Sequence, residues 1–215
     1  MQHNADQAIR LILKHEGGFV DHPRDPGGAT NRGVTIGTLR GLGMDLDGDG
    51  DVDVADLKAL SEADAVTVYK RFYWDKVDGD LLPSGLDYTV ADFAVNSGPR
   101  RAAEYLQRAV GVAADGHVGP VTIKAARAAD TAKTINAICN ARLGFMKRIQ
   151  GGKLWQTFGR GWQRRVDDVR AVSLEWAKTP TQHEPSAPPA FIPDTPASPW
   201  VALFAAIAAF FGGRK

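Results

Sequence analysis

Apolar residues recur along this chain at helical spacing, broken by two stretches that do not follow it. Ile9, Ile12 and Leu13 form one stripe, which predicts a first helix. Asn4, with Gln7 three residues on, gives a capping-box-like start, and Gly17-Gly18 gives the stop. Phe19-Val20-Asp21 and Val34-Thr35-Ile36 then read as two short strands separated by turn-forming DPGG and NRG. That pattern predicts a small β-hairpin. A short helix follows over residues 38–42. Ser61, with Asp64 three on, opens another helix whose apolar face is Val66, Tyr69, Phe72 and Tyr73. Leu86, Val90, Phe93 and Ala94 mark a helix to Asn96, stopped by Gly98-Pro99. Ala103, Leu106 and Val110 mark the next, ending at Gly111. Pro120 suits a first helical position. A long helix spans 132–150, and Trp162, Val166, Val169, Val172 and Trp176 stripe the last. The fold class is therefore mainly α (α+β), a helical domain with a small N-terminal hairpin.

The pattern changes after residue 178. Residues 179–199 are Pro-rich and extended, a linker. Residues 200–211 are almost wholly apolar and precede GGRK. As a helix they span about 18 Å, short of the roughly 30 Å hydrocarbon core. An interfacial membrane anchor fits them better than a full span. At the other end, MQHNADQAIR lacks a basic start and a long apolar run, so no secretory signal is expected.

Length and charge refine this picture. The 215 residues allow one compact unit with appendages. The formal charge of +1 hides an asymmetry: six aspartates lie within residues 45–56, and without them the remainder is +7. Residues 100–178 hold 15 Lys/Arg against 6 Asp/Glu. A basic face suits a polyanionic partner, and no nucleic-acid motif accompanies it. Cys139, the only cysteine, shares a helical face with Ile135, Ile138, Arg142, Met146 and Ile149, which reads as a buried thiol. A monomer is expected.

Candidate chemistry begins where the first helix ends. Glu16 continues the stripe of Ile9 and Leu13 and should turn inward. A carboxyl at the buried, negative end of a helix is reluctant to ionise, which suits a general acid. Lys14 and His15 oppose this if they turn toward it. Asp25 lies on the Asp25-Pro26-Gly27-Gly28 turn beside Arg24, which favours its charged form. One neutral and one ionised carboxyl is the pairing that glycoside hydrolysis uses. Carboxyls about 6.5–9.5 Å apart would invert the sugar, and about 5–5.5 Å would retain it.

EGGFVDHPRDPGGATNRGVT resembles the opening motif of glycoside hydrolase family 108, a group of bacterial and phage lysozymes. DFAVNSGPRRAAEYLQRAVGVAADGHVGPVTIKAA resembles the peptidoglycan-binding segment that accompanies it, and RGWQRRVDDV resembles its closing helix. The resemblance covers roughly residues 5–178. It implies a lysozyme-like fold, with a catalytic part over 1–90 and a peptidoglycan-binding part over 91–178. It also implies cleavage of the β-1,4 bond between N-acetylmuramic acid and N-acetylglucosamine, with Glu16 as the acid. A looser similarity to phage-type lysozymes, which space Glu, Asp and Thr along a helix-then-hairpin, matches Glu16 and Asp25. Thr30 falls one position early for the water-positioning hydroxyl, Asn31 holds the expected place, and Thr35 is a rival. Asp21 is a weaker rival to Asp25. Asn96 can bond a sugar N-acetyl group, help hold the second carboxylate, or only cap its helix.

The second stretch outside helical spacing is DLDGDGDVDVAD. Asp45, Asp47 and Asp49 fill the first three ligand positions of an EF-hand loop, with Gly50 at the sharp turn. Asp51 offers its carbonyl, Asp53 binds directly or through water, and Asp56 closes the loop where Glu is usual. Hard cations prefer this all-oxygen set, so a structural Ca2+ is expected beside the hairpin, with Mg2+ as competitor. The loop resembles those of dockerin modules, but those use two and one is present here. Two other classes compete with an endolysin-type hydrolase. One is a non-catalytic peptidoglycan-binding or export-related protein on the same scaffold. The other is a calcium-responsive interaction protein.

Overall fold

The computed structural model describes residues 2–21 and 28–178. Asp25, the linker 179–199 and the apolar tail 200–211 lie outside the described residues. Helix α1 runs Gln2–Leu13. It buries Ala5, Ala8, Ile9, Ile12 and Leu13, the face its stripe predicts. Asn4 does not cap it. The helix starts earlier, and the Asn4 amide instead donates to Ser84 Oγ at 3.0 Å and Asp87 Oδ2 at 2.9 Å.

The hairpin pairs β1 (Thr30–Asn31) with β2 (Val34–Thr35). Its two-residue loop places Arg32 at φ 50° and Gly33 at φ 73°, a turn whose twist matches antiparallel strands. This corrects the expected strands. Val20 bridges to Thr30 rather than to the second strand, so Thr30 lies between them. Ile36 belongs to helix α2 (Ile36–Leu42), which Thr35 caps by accepting from Thr38 N at 3.1 Å.

The acidic loop leads to α3 (Val54–Ala59), and α4 (Glu62–Tyr69) follows. Ser61 and Asp64 form the expected reciprocal cap of α4. The chain then makes a π turn over Lys70–Trp74. Helix α5 (Leu86–Ser97) is buried from Leu86 to Val95. Around it pack α6 (Pro99–Ala109), α8 (Thr131–Arg148) and α9 (Lys153–Ala177), and α7 (Pro120–Ala128) packs on α6.

Two apolar clusters share α5. Tyr88, Ala91 and Val95 join α1, the hairpin and α4. Leu86, Val90, Phe93 and Ala94 join α6, α8 and α9. Helix α5 is buried on both faces, and its polar residues Asp87, Thr89 and Asp92 are all hydrogen-bonded within the interior. Cys139 is a free, buried thiol in the second cluster, as its helical face predicts.

Candidate active site

Glu16 stands just past α1, where the chain tightens: its N–H donates to Leu13 O at 3.1 Å. Its side chain is 24% exposed, so it is partly covered yet open to solvent. Three elements converge on it. Arg165 of α9, 149 residues away, donates from Nη1 to Oε1 at 3.1 Å. Gly33 of the hairpin turn comes so close that a methyl there would lie 3.2 Å from Oε2 and 2.1 Å from Tyr69 Oη. Tyr69 and Tyr73 supply the remaining side. Burial, and then the Glu16 charge, pushes both phenols well above their ordinary values. They are therefore neutral hydroxyls at any working pH. Tyr69 Oη donates to Arg32 O at 3.2 Å, tying the hairpin turn to α4. The basic neighbours in sequence, Lys14 and His15, are exposed.

Behind Arg165 lies a chain of charges. Asp92, fully buried on α5, accepts from Arg165 Nη2 at 2.8 Å and Nε at 3.0 Å. Its other oxygen accepts from Arg142 Nη1 of α8 at 2.6 Å. Burial works to raise the Asp92 carboxyl, but the Arg142 and Arg165 guanidiniums outweigh it and hold it below the usual range. Arg142 is 1% exposed and lies over the Phe93 ring at 5.1 Å. Its Nε and Nη2 have no hydrogen-bond partner among the described residues. The order Glu16–Arg165–Asp92–Arg142 thus alternates in sign from the surface to the core. Arg165 is fixed by two bonds to Asp92 before it reaches Glu16.

This constellation coincides with two matched segments. Residues 9–98 match the family described as Glycosyl hydrolase 108, and residues 101–167 match the family described as Predicted Peptidoglycan domain. The chain also matches the solved structure of Brucella abortus SagA. It is 41% identical to that protein, over 83% of this chain and 98% of that one, with a TM-score of 0.68. The chain belongs to the glycosyl hydrolase 108 family. It is a lysozyme-like glycoside hydrolase of peptidoglycan, and its site of action is the cell wall. Comparison with curated proteins returns no match.

Within the family frame the other predicted site residues take definite places. Thr30, half-buried on β1, directs Oγ1 to Gly28 O at 3.5 Å. Asn31 is buried, and its amide donates to Leu57 O at 2.8 Å, locking the hairpin to α3. The buried Thr35 hydroxyl is engaged with Thr38. Asn96 is exposed near the end of α5, one turn beyond Asp92, and its Oδ1 accepts from Ser97 Oγ at 3.3 Å. Asp21 is exposed. Asp45, Asp47 and Asp49 bring carboxylate oxygens within 4.8 Å of one another, as do Asp51, Asp53 and Asp56. Gly48 N and Gly50 N both donate to Asp45, at 2.6 and 3.0 Å. Buried Asp56 accepts from Leu46 N at 2.6 Å, Asp47 N at 3.2 Å and Asp53 N at 2.7 Å.

Arg165, Asp92, Tyr69 and Tyr73 were not singled out by sequence reasoning as site residues. One signal was present. Asp92 is an acid set between Ala91 and Phe93 in a helix striped with Leu86, Val90 and Phe93, and a buried acid demands a cation.

Proposed function

We propose that the chain is an endolysin-type N-acetylmuramidase, acting as a monomer on the β-1,4 bond between N-acetylmuramic acid and N-acetylglucosamine. Glu16 is the general acid. It gives its proton to the bridging oxygen as the C1–O bond breaks, and it becomes an anion in that step. Arg165, already held by Asp92, bonds the Glu16 carboxyl, so the cation that stabilises the developing charge needs no reorganisation. The convergence of Arg165, Gly33 and the two phenols on a partly exposed helix-end carboxyl is the observation that carries this reading. Asp25 is assigned the second role, activating water or stabilising the cationic sugar. Thr30 is favoured over Thr35 for positioning water, because the Thr35 hydroxyl serves as a helix cap. Asn96 is assigned to the substrate's N-acetyl group.

The test is release of new reducing ends from purified peptidoglycan. Native protein should cleave, and Glu16→Gln should bind without cleaving. Binding without cleavage by the native protein would replace this reading with a wall-binding scaffold.

We also assign Ca2+ to the acidic loop. Support comes from the two carboxylate trios and from the charge crowding they create: Asp51 is pushed up first by the charge of Asp49. The loop is tied to the hairpin through Asn31–Leu57 and to α2 through Arg40 Nε on Val52 O at 2.9 Å. A bound cation there would stiffen the hairpin. Melting with and without chelator should show a higher midpoint with Ca2+, and identical midpoints would remove the assignment. Among the described residues no helix is long and apolar enough to cross a membrane. Residues 200–211 are proposed as an interfacial anchor, so deleting 180–215 should release the protein from membrane fractions.

A further inference from the structure

Phe158 is 52% exposed on α9, although large aromatic rings are normally covered. It stacks on Trp162, centroids 5.9 Å apart and planes 28° apart. Trp162 is backed in turn by Trp155 at 6.3 Å. Trp155 is itself fixed: it packs across Gly159, where a methyl group would lie 2.7 Å from its ring. The result is a braced two-ring platform, not a loose surface side chain.

Its place on the helix gives it meaning. Phe158 and Arg165 are seven residues apart, so they share one face of α9. Trp162 lies between them. Arg165 is the residue that holds Glu16. Phe158 therefore stands about 10 Å along the helix axis from Arg165, roughly the length of a disaccharide. A linear glycan threaded past Glu16 would continue over it. The substrate supplies matching surfaces. A pyranose ring presents a face of C–H bonds, slightly positive, to the negative face of an aromatic ring.

We propose that Phe158 and Trp162 form a sugar-stacking subsite for the glycan strand, remote from the scissile bond and continuous with it through Arg165. This rests on the hydrolase reading above. A remote subsite binds ground state and transition state alike, so its loss should appear in KM and not in kcat.

Two measurements test it. In the Glu16→Gln background, co-sedimentation with insoluble peptidoglycan reads binding alone. There Phe158→Ala should raise the apparent Kd about fivefold, while Phe158→Trp stays near the parent. In the active protein Phe158→Ala should raise KM by a similar factor at unchanged kcat. Phe158 is half exposed, so its replacement should leave the melting midpoint in place. Unchanged Kd and KM in Phe158→Ala would overturn the subsite. Continued cleavage by Glu16→Gln would instead overturn the acid assignment, while a comparison of native and Phe158→Ala sedimentation would still decide the subsite.

Discussion

Asp92→Asn should be among the most damaging single substitutions in the chain. The native carboxylate faces two guanidiniums, and one of them has little else. Arg142 is 1% exposed and donates to Asp92 at 2.6 Å, with Nε and Nη2 unpartnered among the described residues. An asparagine offers one oxygen and one NH2 group, so one of the two arginines would meet a donor. Stranding a buried charge costs about 3–5 kcal/mol, a large share of the roughly 5–15 kcal/mol that holds a domain folded. At about 2–4 °C per kcal/mol, the midpoint should fall by about 6–20 °C. The double variant Asp92→Leu/Arg142→Met removes both charges and refills the space, and should recover most of that loss. It should not recover activity. Arg165 would keep only its bond to Glu16, and a poorly placed Arg–Glu pair costs about tenfold to a hundredfold in rate. Calorimetry and the reducing-end assay on the three proteins decide the matter. A single variant melting within about 3 °C of native would refute the reasoning, as would a double variant that melts as low as the single.

Three further outcomes follow from the same geometry. Gly33→Ala puts a residue at φ 73° and a methyl 2.1 Å from Tyr69 Oη. It should lose about 1–2 kcal/mol to the left-handed backbone alone and should impair cleavage, with Tyr69→Phe restoring part of the stability because the clashing hydroxyl is gone. Asp87 is pushed up to about 6, chiefly by burial, against opposing bonds from Asn4, Tyr88 N and Gly85 N. A raised acid favours the fold most below its unfolded value near 3.8 and loses that contribution as pH rises through about 6. Asp87→Asn should therefore be the more stable protein at pH 8, by up to about 3 kcal/mol, since Asn4 can flip its amide to accept; an unchanged stability–pH slope between pH 4 and 6 would count against this. Asp92 runs the other way: its lowered value stabilises above about pH 4 and fails as pH falls below it, so Asp92→Asn should flatten acid denaturation.

Local chemistry was legible in the residues, and long-range chemistry was not. The cap at Ser61 and Asp64 needs only four adjacent residues, and it forms as read. The stripe of Leu86, Val90, Phe93 and Ala94 marked α5 because these residues recur at helical spacing and are all buried. The hairpin was half legible. Asn31-Arg32-Gly33 announced the turn, but strand register follows from which two residues take positive φ, and Arg32 does so together with Gly33. That choice puts Thr30, not Val34, opposite Val20. Glu16 was legible as a helix-end carboxyl. Its partner was not, because nothing in a periodicity links positions 149 residues apart.

The charged chain also bears on how the two matched segments relate. Glu16 and Asp92 fall within residues 9–98, while Arg142 and Arg165 fall within 101–167. Neither set is satisfied alone. A piece ending near residue 98 would strip Asp92 of both its cations and would expose the α5 face that packs on α6, α8 and α9. Separating wall-binding from hydrolysis is therefore not a matter of cutting a tether. The segment matched to peptidoglycan supplies the arginine that positions the acid, and the helix carrying that arginine also carries the aromatic platform. Substrate held along α9 is thereby aligned with the carboxyl at the end of α1 by one rigid element.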